Sequence, residues 1–437
     1  MLRKFITFLW IIFIPVAALL VIPGCRLQPD IVDTNPSGSQ VHLPDVQFPK
    51  QSDWMDYGTI FEAGTEEEWD QYIYGGFAFS TIKKDDTYYL YYQGSSDYRT
   101  KIDETVLWRA IGVATSQDGL NFSKHKNNPI ITWSPNQNGE EGAVSSGVTL
   151  GRNEEIVLYY GANTEESAIT VTADIRTAIS DDGVIFKDLG IVFDHNNRSI
   201  WGNGDELFAV DAVYDHNQWI VYYIPNGTLQ SGKLGVAYGD QFNKLVNSSA
   251  VVNGTNQIPV WGTMGHVKIN QDLYALVLNN VRKKTIEVRL TTLKHPHQVS
   301  APIETYRFEN NIQANILLDA ERNTWFLYYR DNDRYGVMLA PFGAPDSSPP
   351  TVPENIVSTS PNIQSVDLSW QPAEDPDTGI VQYRIYRNGV LVGKTKTIHF
   401  IDNGIAGKGD HQYQVSAVNF HGKEGRLSLP YKVTISN

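Results

Sequence analysis

The sequence contains a single cysteine, Cys25, among its 437 residues. A chain with one cysteine forms no intrachain disulfide and no cysteine-based zinc site. The sequence also lacks the motifs of a P-loop, a dinucleotide-binding loop, a serine hydrolase or a His-Glu-x-x-His metalloprotease. The function must therefore be sought in other side chains.

Basic residues are scarce relative to acidic ones: 35 Lys and Arg stand against 49 Asp and Glu, a net charge of −14. Residues 1–24 contain Arg3, Lys4 and no acid, so their removal leaves −14 − 2 = −16. Binding to nucleic acid requires basic patches, so we expect no nucleic-acid partner. The acidic excess also favours a neutral or cationic ligand over a polyanion, although net charge says little about one cleft.

The amino terminus has the pattern of an export signal. A short basic start precedes an apolar run from Phe5 to Ile22, and Pro23 and Gly24 precede Cys25. This resembles a bacterial lipobox, which implies cleavage after residue 24, lipidation of Cys25 and attachment to a membrane. A signal anchor and simple secretion are the alternatives, because about 18 apolar residues just span a bilayer. All three interpretations predict a folded part outside the cytoplasm, and residues 25–50, rich in Pro, Ser, Asp and Gln, form a flexible tether.

Tyrosine-rich segments recur along the chain. Each is followed by a second apolar segment, which often ends in Asp-Gly, and the five copies begin near Tyr88, Ile156, Trp219, Leu273 and Trp325. The spacing of roughly 50 to 70 residues is typical of a propeller or a repeat array. No segment between residues 63 and 343 has helical periodicity, so the sequence predicts an all-β fold.

We expect residues 51–343 to form a five-bladed β-propeller with four strands per blade. Small and apolar runs, such as Gly76 to Phe79 and Val144 to Val148, are predicted to be the inner strands. Ile130 to Trp133 is predicted to be an outer strand. Residues 51–62 are predicted to complete the last blade and so remove the exposed sheet edges.

Residues 344–351 are rich in proline and predict a semi-rigid linker. In residues 352–437, Trp370 ends an alternating strand and Asn388-Gly389 predicts a hairpin turn. This part resembles a fibronectin type III domain, a β-sandwich in which Tyr413 has the position of the tyrosine corner. It carries no catalytic grouping, so we expect a spacer or a contact module.

The repeats between about 55 and 343, including the segments Gly112 to Gly119 and Asn128 to Ile130, resemble the five-bladed propellers of glycoside hydrolases in families 43, 32 and 130. The resemblance implies a carbohydrate substrate and a site at the propeller axis, near the start of each inner strand. Two departures are visible: Asp70 and Glu206 lack the proline that usually follows the family 43 carboxylates, and the family 32 motifs are absent.

By this resemblance, Asp70 is the general base and Glu206 the general acid, as hydrolysis of a glycosidic bond requires two carboxyls. Asp70 could instead belong to an acidic surface loop, and Glu206 could be an exposed acid. Asp211 is a third catalytic candidate. It lies in an apolar stretch and must have a partner if buried, for example Arg109 or Arg176.

Further candidates contribute to substrate binding. They are Trp69, Glu141, Asp205, Trp261 and His266. The resemblance implies no required cofactor, but it places a calcium ion near a histidine at the axis in some relatives, and His266 is the candidate here. We expect a monomer. Three functions stay open: a glycoside hydrolase, which we expect to be inverting, a non-catalytic carbohydrate-binding lipoprotein, and a glycoside phosphorylase, which would need a cluster of basic side chains.

Overall fold

The computed structural model describes residues 47–65, 68–73, 79–96, 108–132, 142–163, 173–197, 199–202, 206–226, 232–260, 262, 264–280, 283–308, 313–331, 334–343, 346, 348–359, 365–375, 377–404 and 408–435. The chain divides into two compact units, Met1–Leu43 and Pro44–Asn437. The first unit, with Cys25, lies wholly outside the described residues. Within the described residues no helix is long and apolar enough to cross a membrane.

The described residues form 29 strands and one short 3-10 helix, Gln51–Asp53. The all-β prediction is therefore confirmed. Before residue 344 the described strands form three four-stranded sheets, one eight-stranded sheet and a small hairpin. The eight-stranded sheet consists of two antiparallel groups of four joined by one parallel pairing of Glu206 with Ala173, so we distinguish five groups of four, called sheet units 1 to 5. In units 1 to 4, the chain runs up and down between neighbouring strands, so the first strand lies at one side and the fourth at the other.

The first three sheet units are consecutive in the chain. Unit 1 comprises β2 (Ser80–Lys84), β3 (Thr87–Ser96), β4 (Trp108–Ser116) and β5 (Ser123–Lys124); β1 (Met55–Glu62) precedes it but belongs to unit 5. Unit 2 comprises β6 (Ala143–Leu150), β7 (Ile156–Asn163), β8 (Ala173–Ser180) and β9 (Lys187–Phe193). Unit 3 comprises β10 (Glu206–Asp215), β11 (Gln218–Asn226), β12 (Gly235–Gly239) and β13 (Asn247–Ala250).

The last two units follow a small hairpin of β14 (Val252–Asn253) and β15 (Asn256–Gln257). Unit 4 comprises β16 (Met264–Lys268), β17 (Leu273–Asn280), β18 (Thr285–Thr292) and β19 (Glu304–Tyr306). Unit 5 comprises β20 (Gln313–Asp319), β21 (Thr324–Asp331), β22 (Arg334–Pro341) and β1. Because β1 pairs with β22, the amino-terminal strand completes the last unit, as the sequence predicts.

The tyrosine-rich segments are the second strands of the units. Tyr88, Tyr91 and Tyr92 in β3 are each at most 1% exposed, because both faces of the sheet pack against neighbouring units. The predicted outer strand of unit 1 is wrong. Its fourth strand is Ser123–Lys124, and Ile131 makes only an isolated bridge to Ile111.

The first strands of the five units contact one another in a closed cycle. Each link is a hydrogen bond or an ion pair between neighbouring first strands. In order, the links are Ser80 Oγ with Ser146 Oγ (2.9 Å), Tyr214 N with Thr149 Oγ1 (3.1 Å), His266 Nδ1 with Asp211 Oδ2 (3.0 Å), Asn315 Nδ2 with Met264 O (2.7 Å) and Thr81 Oγ1 with Asn315 Oδ1 (2.5 Å). The cycle returns to β2, so the five units surround a common centre.

The carboxy-terminal part is a sandwich of two antiparallel sheets. One sheet comprises β23 (Glu354–Ser358), β24 (Val366–Gln371) and β27 (His399–Asp402), and the other comprises β26 (Val390–Thr395), β25 (Ile380–Arg387), β28 (Gly409–Asn419) and β29 (Tyr431–Ile435). Both sheets contribute to one core, in which Trp370 is 4% exposed, as predicted. Asn388 and Gly389 form the β25–β26 turn with positive φ angles of 51° and 78°, which favour this Asn-Gly pair.

The sandwich packs against sheet unit 5 through an apolar contact. Phe420 is 2% exposed and meets Phe326 edge-on at 6.1 Å between ring centroids, while the Arg322 guanidinium lies 5.8 Å from the Phe420 ring. His421 Nε2 lies 2.9 Å from Asn323 O. These contacts hold the two parts in one orientation.

We predict that Phe420→Ala loosens this contact and costs about 3 kcal/mol, since a buried aromatic ring is lost. Limited proteolysis of the segment between residues 343 and 352 should accelerate, and the radius of gyration from small-angle scattering should increase. Leu429→Ala is the control, because Leu429 is 87% exposed. Equal proteolysis rates for both variants would contradict the prediction.

Candidate functional site

One link of the cycle is a buried carboxylate paired with a histidine. Asp211 in β10 approaches His266 in β16, with its two oxygens 3.1 and 3.0 Å from Nδ1. The Asp211 side chain is 4% exposed and the His266 side chain is 25% exposed. Burial alone would lower the pKa of His266, but the charge and hydrogen bond of Asp211 outweigh it and raise that pKa above its usual value.

A buried Asp211 was expected to have a partner, and this is confirmed, but the partner is His266 and neither of the two suggested arginines. Arg176 pairs instead with Asp188 in β9, and Arg109 lies in β4 opposite Ser95. Both arginines stand on third strands, whereas Asp211 stands on a first strand. A β-bulge between Ala209 and Asp211 changes the register of β10 at this point.

The pair fits a calcium ion poorly. Ca²⁺ takes six to eight oxygen ligands in proteins. Asp211 directs both oxygens at the His266 ring, and within the described residues no further carboxylate contacts this pair. The predicted calcium near His266 is therefore not supported by the donor set, and we derive no step through it.

Glu206 is the first residue of β10 and is 8% exposed, so it is not the exposed acid that the sequence allowed. Its backbone pairs with Asn226 in β11 and, in parallel, with Ala173 in β8. Glu206 thus lies where units 2 and 3 meet. Five residues of strand separate it from Asp211, a rise of about 16 Å, so the two carboxyls lie at different depths along β10.

Asp70 is buried, at 2% exposure, and is not part of a surface loop. Its Oδ2 accepts a hydrogen bond from Tyr92 Oη at 2.9 Å and lies 2.7 Å from Lys124 Nζ. The neighbouring Trp69 ring lies 5.6 Å from the Tyr92 ring, with 33° between their planes. The Asp70 side chain is therefore fixed by two polar partners and by the neighbouring aromatic rings.

Two glycines make room for Trp69 beside Asp70. A Cβ atom at Gly94 would lie 2.5 Å from Trp69 Cζ3, and one at Gly112 would lie 2.7 Å from Trp69 Cη2. Since these distances are far below a carbon contact, only glycine lets the indole ring rest on β3 and β4. The Gly94 Cβ would also lie 2.6 Å from Asp70 Cβ, so the same glycine positions the carboxylate.

Three predicted binding residues, Glu141, Asp205 and Trp261, lie outside the described residues. They precede the first strands of units 2, 3 and 4, respectively. Trp69 and His266 are the two predicted binding residues that the structure describes.

One cluster near Glu206 was not predicted. Asp174, Asp194 and His195 bring ligand atoms within 4.8 Å of one another, a geometry that could hold a metal ion. However, His195 Nδ1 already contacts Asp174 at 2.7 Å and Nε2 contacts Asn196 at 2.8 Å. Asp174 and His195 are 21 residues apart, and no spacing motif links them, so the sequence carried no signal for the pair.

No protein-family model matches the chain. Curated relatives match over short stretches. They are a chitinase, Chi52, of Paenibacillus xylanexedens (37% identical over 93 residues, 21% of this chain and 18% of the relative), an alpha-amylase of Niallia circulans (38% over 90 residues, 21% and 7%) and a gellan lyase of a Bacillus species (38% over 90 residues, 20% and 4%). The chain thus spans less than a fifth of the length of these relatives.

Solved structures resemble this chain over most of its length, at low identity. A glycosyl hydrolase from Bacteroides ovatus has a TM-score of 0.43 and 12% identity, covering 70% of this chain and 95% of that one. The GH43_1 enzyme of Xanthomonas citri has a TM-score of 0.42 and 12% identity, covering 66% and 91%.

Proposed function

We propose that sheet units 1 to 5 form a five-bladed β-propeller and that the protein is a glycoside hydrolase acting at the centre of that propeller. The closed cycle of first strands supports the proposal, because Asp211 and His266 form one of its links and Glu206 begins the same strand β10. All three curated relatives bear names of polysaccharide-cleaving enzymes, which agrees with a carbohydrate substrate.

The reaction assigned to the site needs an acid and a base. We assign Glu206 as the general acid that protonates the leaving oxygen and Asp70 as the base that activates water. In an inverting enzyme the two carboxyls stand about 6.5 to 9.5 Å apart to leave room for that water. The Lys124 ammonium and the Tyr92 hydroxyl both contact Oδ2 of Asp70 and hold its carboxyl group in place.

The test uses aryl glycosides with good and poor leaving groups. Glu206→Gln is expected to weaken catalytic efficiency by about 10²- to 10⁴-fold on poor leaving groups, which need a proton, and far less on dinitrophenyl glycosides, which do not. Asp70→Asn should lower the catalytic efficiency on both kinds of aryl glycoside. Thermal unfolding of each variant checks that the fold survives, and equal losses of Glu206→Gln on both leaving groups would refute its role as the acid.

A second candidate is carbohydrate binding without catalysis. The ion pair of Asp70 with Lys124 favours it, because a carboxylate with a fixed cationic partner can serve structure alone. Saturable binding on a glycan array with no hydrolysis of any aryl glycoside would decide for this candidate. A requirement for inorganic phosphate would indicate a phosphorylase instead, although the Arg176 guanidinium, which a basic cluster could use, is paired with Asp188.

The remaining proposals concern the flanking parts. We propose that the sandwich is a fibronectin type III domain, supported by the buried Trp370 and by Tyr413, whose hydroxyl donates to Asp402 at 2.9 Å. We also propose a bacterial lipoprotein lipidated at Cys25 and held outside the cytoplasm. Incorporation of labelled palmitate that persists in Cys25→Ser cells would overturn the lipidation.

A further inference from the structure

His266 keeps one ring nitrogen open beside its pair with Asp211. Nδ1 is occupied by both oxygens of Asp211. For Nε2, the part of the chain that the structure describes offers no hydrogen-bonding partner, and the side chain keeps 25% of its surface exposed. A polar atom that is held in place and left open is suited to contact a ligand.

The orientation of the ring is fixed from several sides. The Asp211 carboxylate is buried, and the backbone of Asp211 lies against Gly147 in β6, where a Cβ would approach to 2.6 Å. The ring of Tyr274 lies 6.1 Å from the His266 ring. Moving the imidazole would leave a buried carboxylate without its partner, which is costly.

The charges around this nitrogen favour an uncharged ligand. The Asp211 carboxylate balances any positive charge on the His266 ring, so the pair carries no net positive charge to attract an anion. A sugar carboxylate or sulfate would gain no net attraction from this pair, whereas a hydroxyl group would exchange a hydrogen bond with water for one with Nε2.

We propose that His266 Nε2 hydrogen-bonds a hydroxyl of an uncharged sugar at the propeller centre, and that Asp211 is the positioning residue of His266 and not a catalytic carboxylate. This inference rests on the proposed carbohydrate function and narrows its substrate class to neutral glycans. It also reassigns Asp211, which lies too deep along β10 to act as the immediate neighbour of Glu206.

The kinetic test compares Asp211→Asn, which replaces the charged acceptor of Nδ1–H by a weaker neutral amide and so loosens the ring, with His266→Gln. Each should raise KM on the best neutral aryl glycoside by about tenfold, as expected for one lost hydrogen bond, with a much smaller change in kcat. The double variant should be no worse than either single one. His399→Gln is the matched control, since His399 pairs with Asp367 in the sandwich and is 49% exposed.

The spectroscopic test follows the ring itself. In protein labelled with ¹⁵N-histidine, the Nε2 resonance absent from His266→Gln is assigned to His266. It should shift when the neutral aryl glycoside is added, and the uronic-acid counterpart of that glycoside should not compete.

Two results would overturn the inference alone. One is glycoside binding that leaves this resonance unmoved while His266→Gln keeps the wild-type KM. The other is a hundredfold or greater loss of turnover in Asp211→Asn, which would mark Asp211 as a catalytic carboxylate. A protein that neither binds nor cleaves any glycan would overturn the proposed function as well.

Discussion

Asp319→Ala is expected to lower the free energy of unfolding by about 3 kcal/mol. Asp319 ends the first strand of unit 5, and its side chain is 1% exposed. Lys83 Nζ, from β2, approaches its carboxylate at 3.0 Å, and the Tyr88 hydroxyl from β3 donates to the same carboxylate oxygen. Because these groups join the last unit to the first, the substitution opens the contact that closes the cycle and leaves Lys83 with only its exposed partner Glu321.

The chain contains its own control for this experiment. Asp215 at the end of β10 binds Lys268 and the Tyr274 hydroxyl in the same way, linking units 3 and 4. The Lys268 side chain is 47% exposed and that of Asp215 is 17% exposed, against 19% for Lys83 and 1% for Asp319. Solvent screens the more exposed pair, so Asp215→Ala should cost about 1 kcal/mol or less. Urea unfolding of both variants gives the comparison, and equal costs would show that burial does not decide the strength of these links.

The same contact predicts a dependence on pH. Burial acts to raise the pKa of Asp319, but hydrogen bonds from Tyr88 and Lys83 and the charge of Lys83 outweigh it, so the pKa is lowered in the folded protein. A carboxyl with a lowered folded pKa contributes stability above its unfolded pKa of about 3.9 and loses it as pH falls through the folded value. The difference in stability between wild type and Asp319→Ala should therefore be full at about pH 6 and shrink below about pH 4.

The strands were predictable because their signals are local. The run Tyr88 to Tyr92 alternates between two buried faces, and the Asn388-Gly389 turn needs only its own two residues to favour positive φ. The short fourth strand Ser123–Lys124 escaped prediction because two polar residues carry no apolar signal, whereas Ile130 and Ile131 do.

The site was less predictable because its contacts join distant parts of the chain. His266 lies 55 residues after Asp211, and Lys124, which pairs with Asp70, belongs to the separate strand β5. The sequence indicated that a buried Asp211 needs a partner, since a lone buried charge is unstable. It could not identify that partner, because only the cyclic arrangement of first strands brings β10 beside β16.

Gly147→Ala is expected to disturb the fold and the candidate site together. A Cβ at Gly147 would lie 2.6 to 2.9 Å from the C, Cα and N atoms of Asp211, far inside normal contact. These are backbone atoms, so no side chain can rotate away, and β6 and β10 must separate. Forcing one methyl group into such a contact costs about 1–3 kcal/mol.

The displacement of β10 makes this substitution informative beyond stability. If Asp211 positions His266, moving its backbone should also raise KM for the neutral glycoside about as much as Asp211→Asn does, although Gly147 contributes no side chain to a ligand. Gly404→Ala is the control, because its Cβ would meet only Asp402 Oδ1 at an ordinary 3.4 Å. Thermal unfolding and steady-state kinetics on the two variants separate the effects. A Gly147→Ala protein with wild-type stability would mean that β6 and β10 can separate at no cost. The close packing of β6 against β10 would then play no part in holding Asp211 against His266.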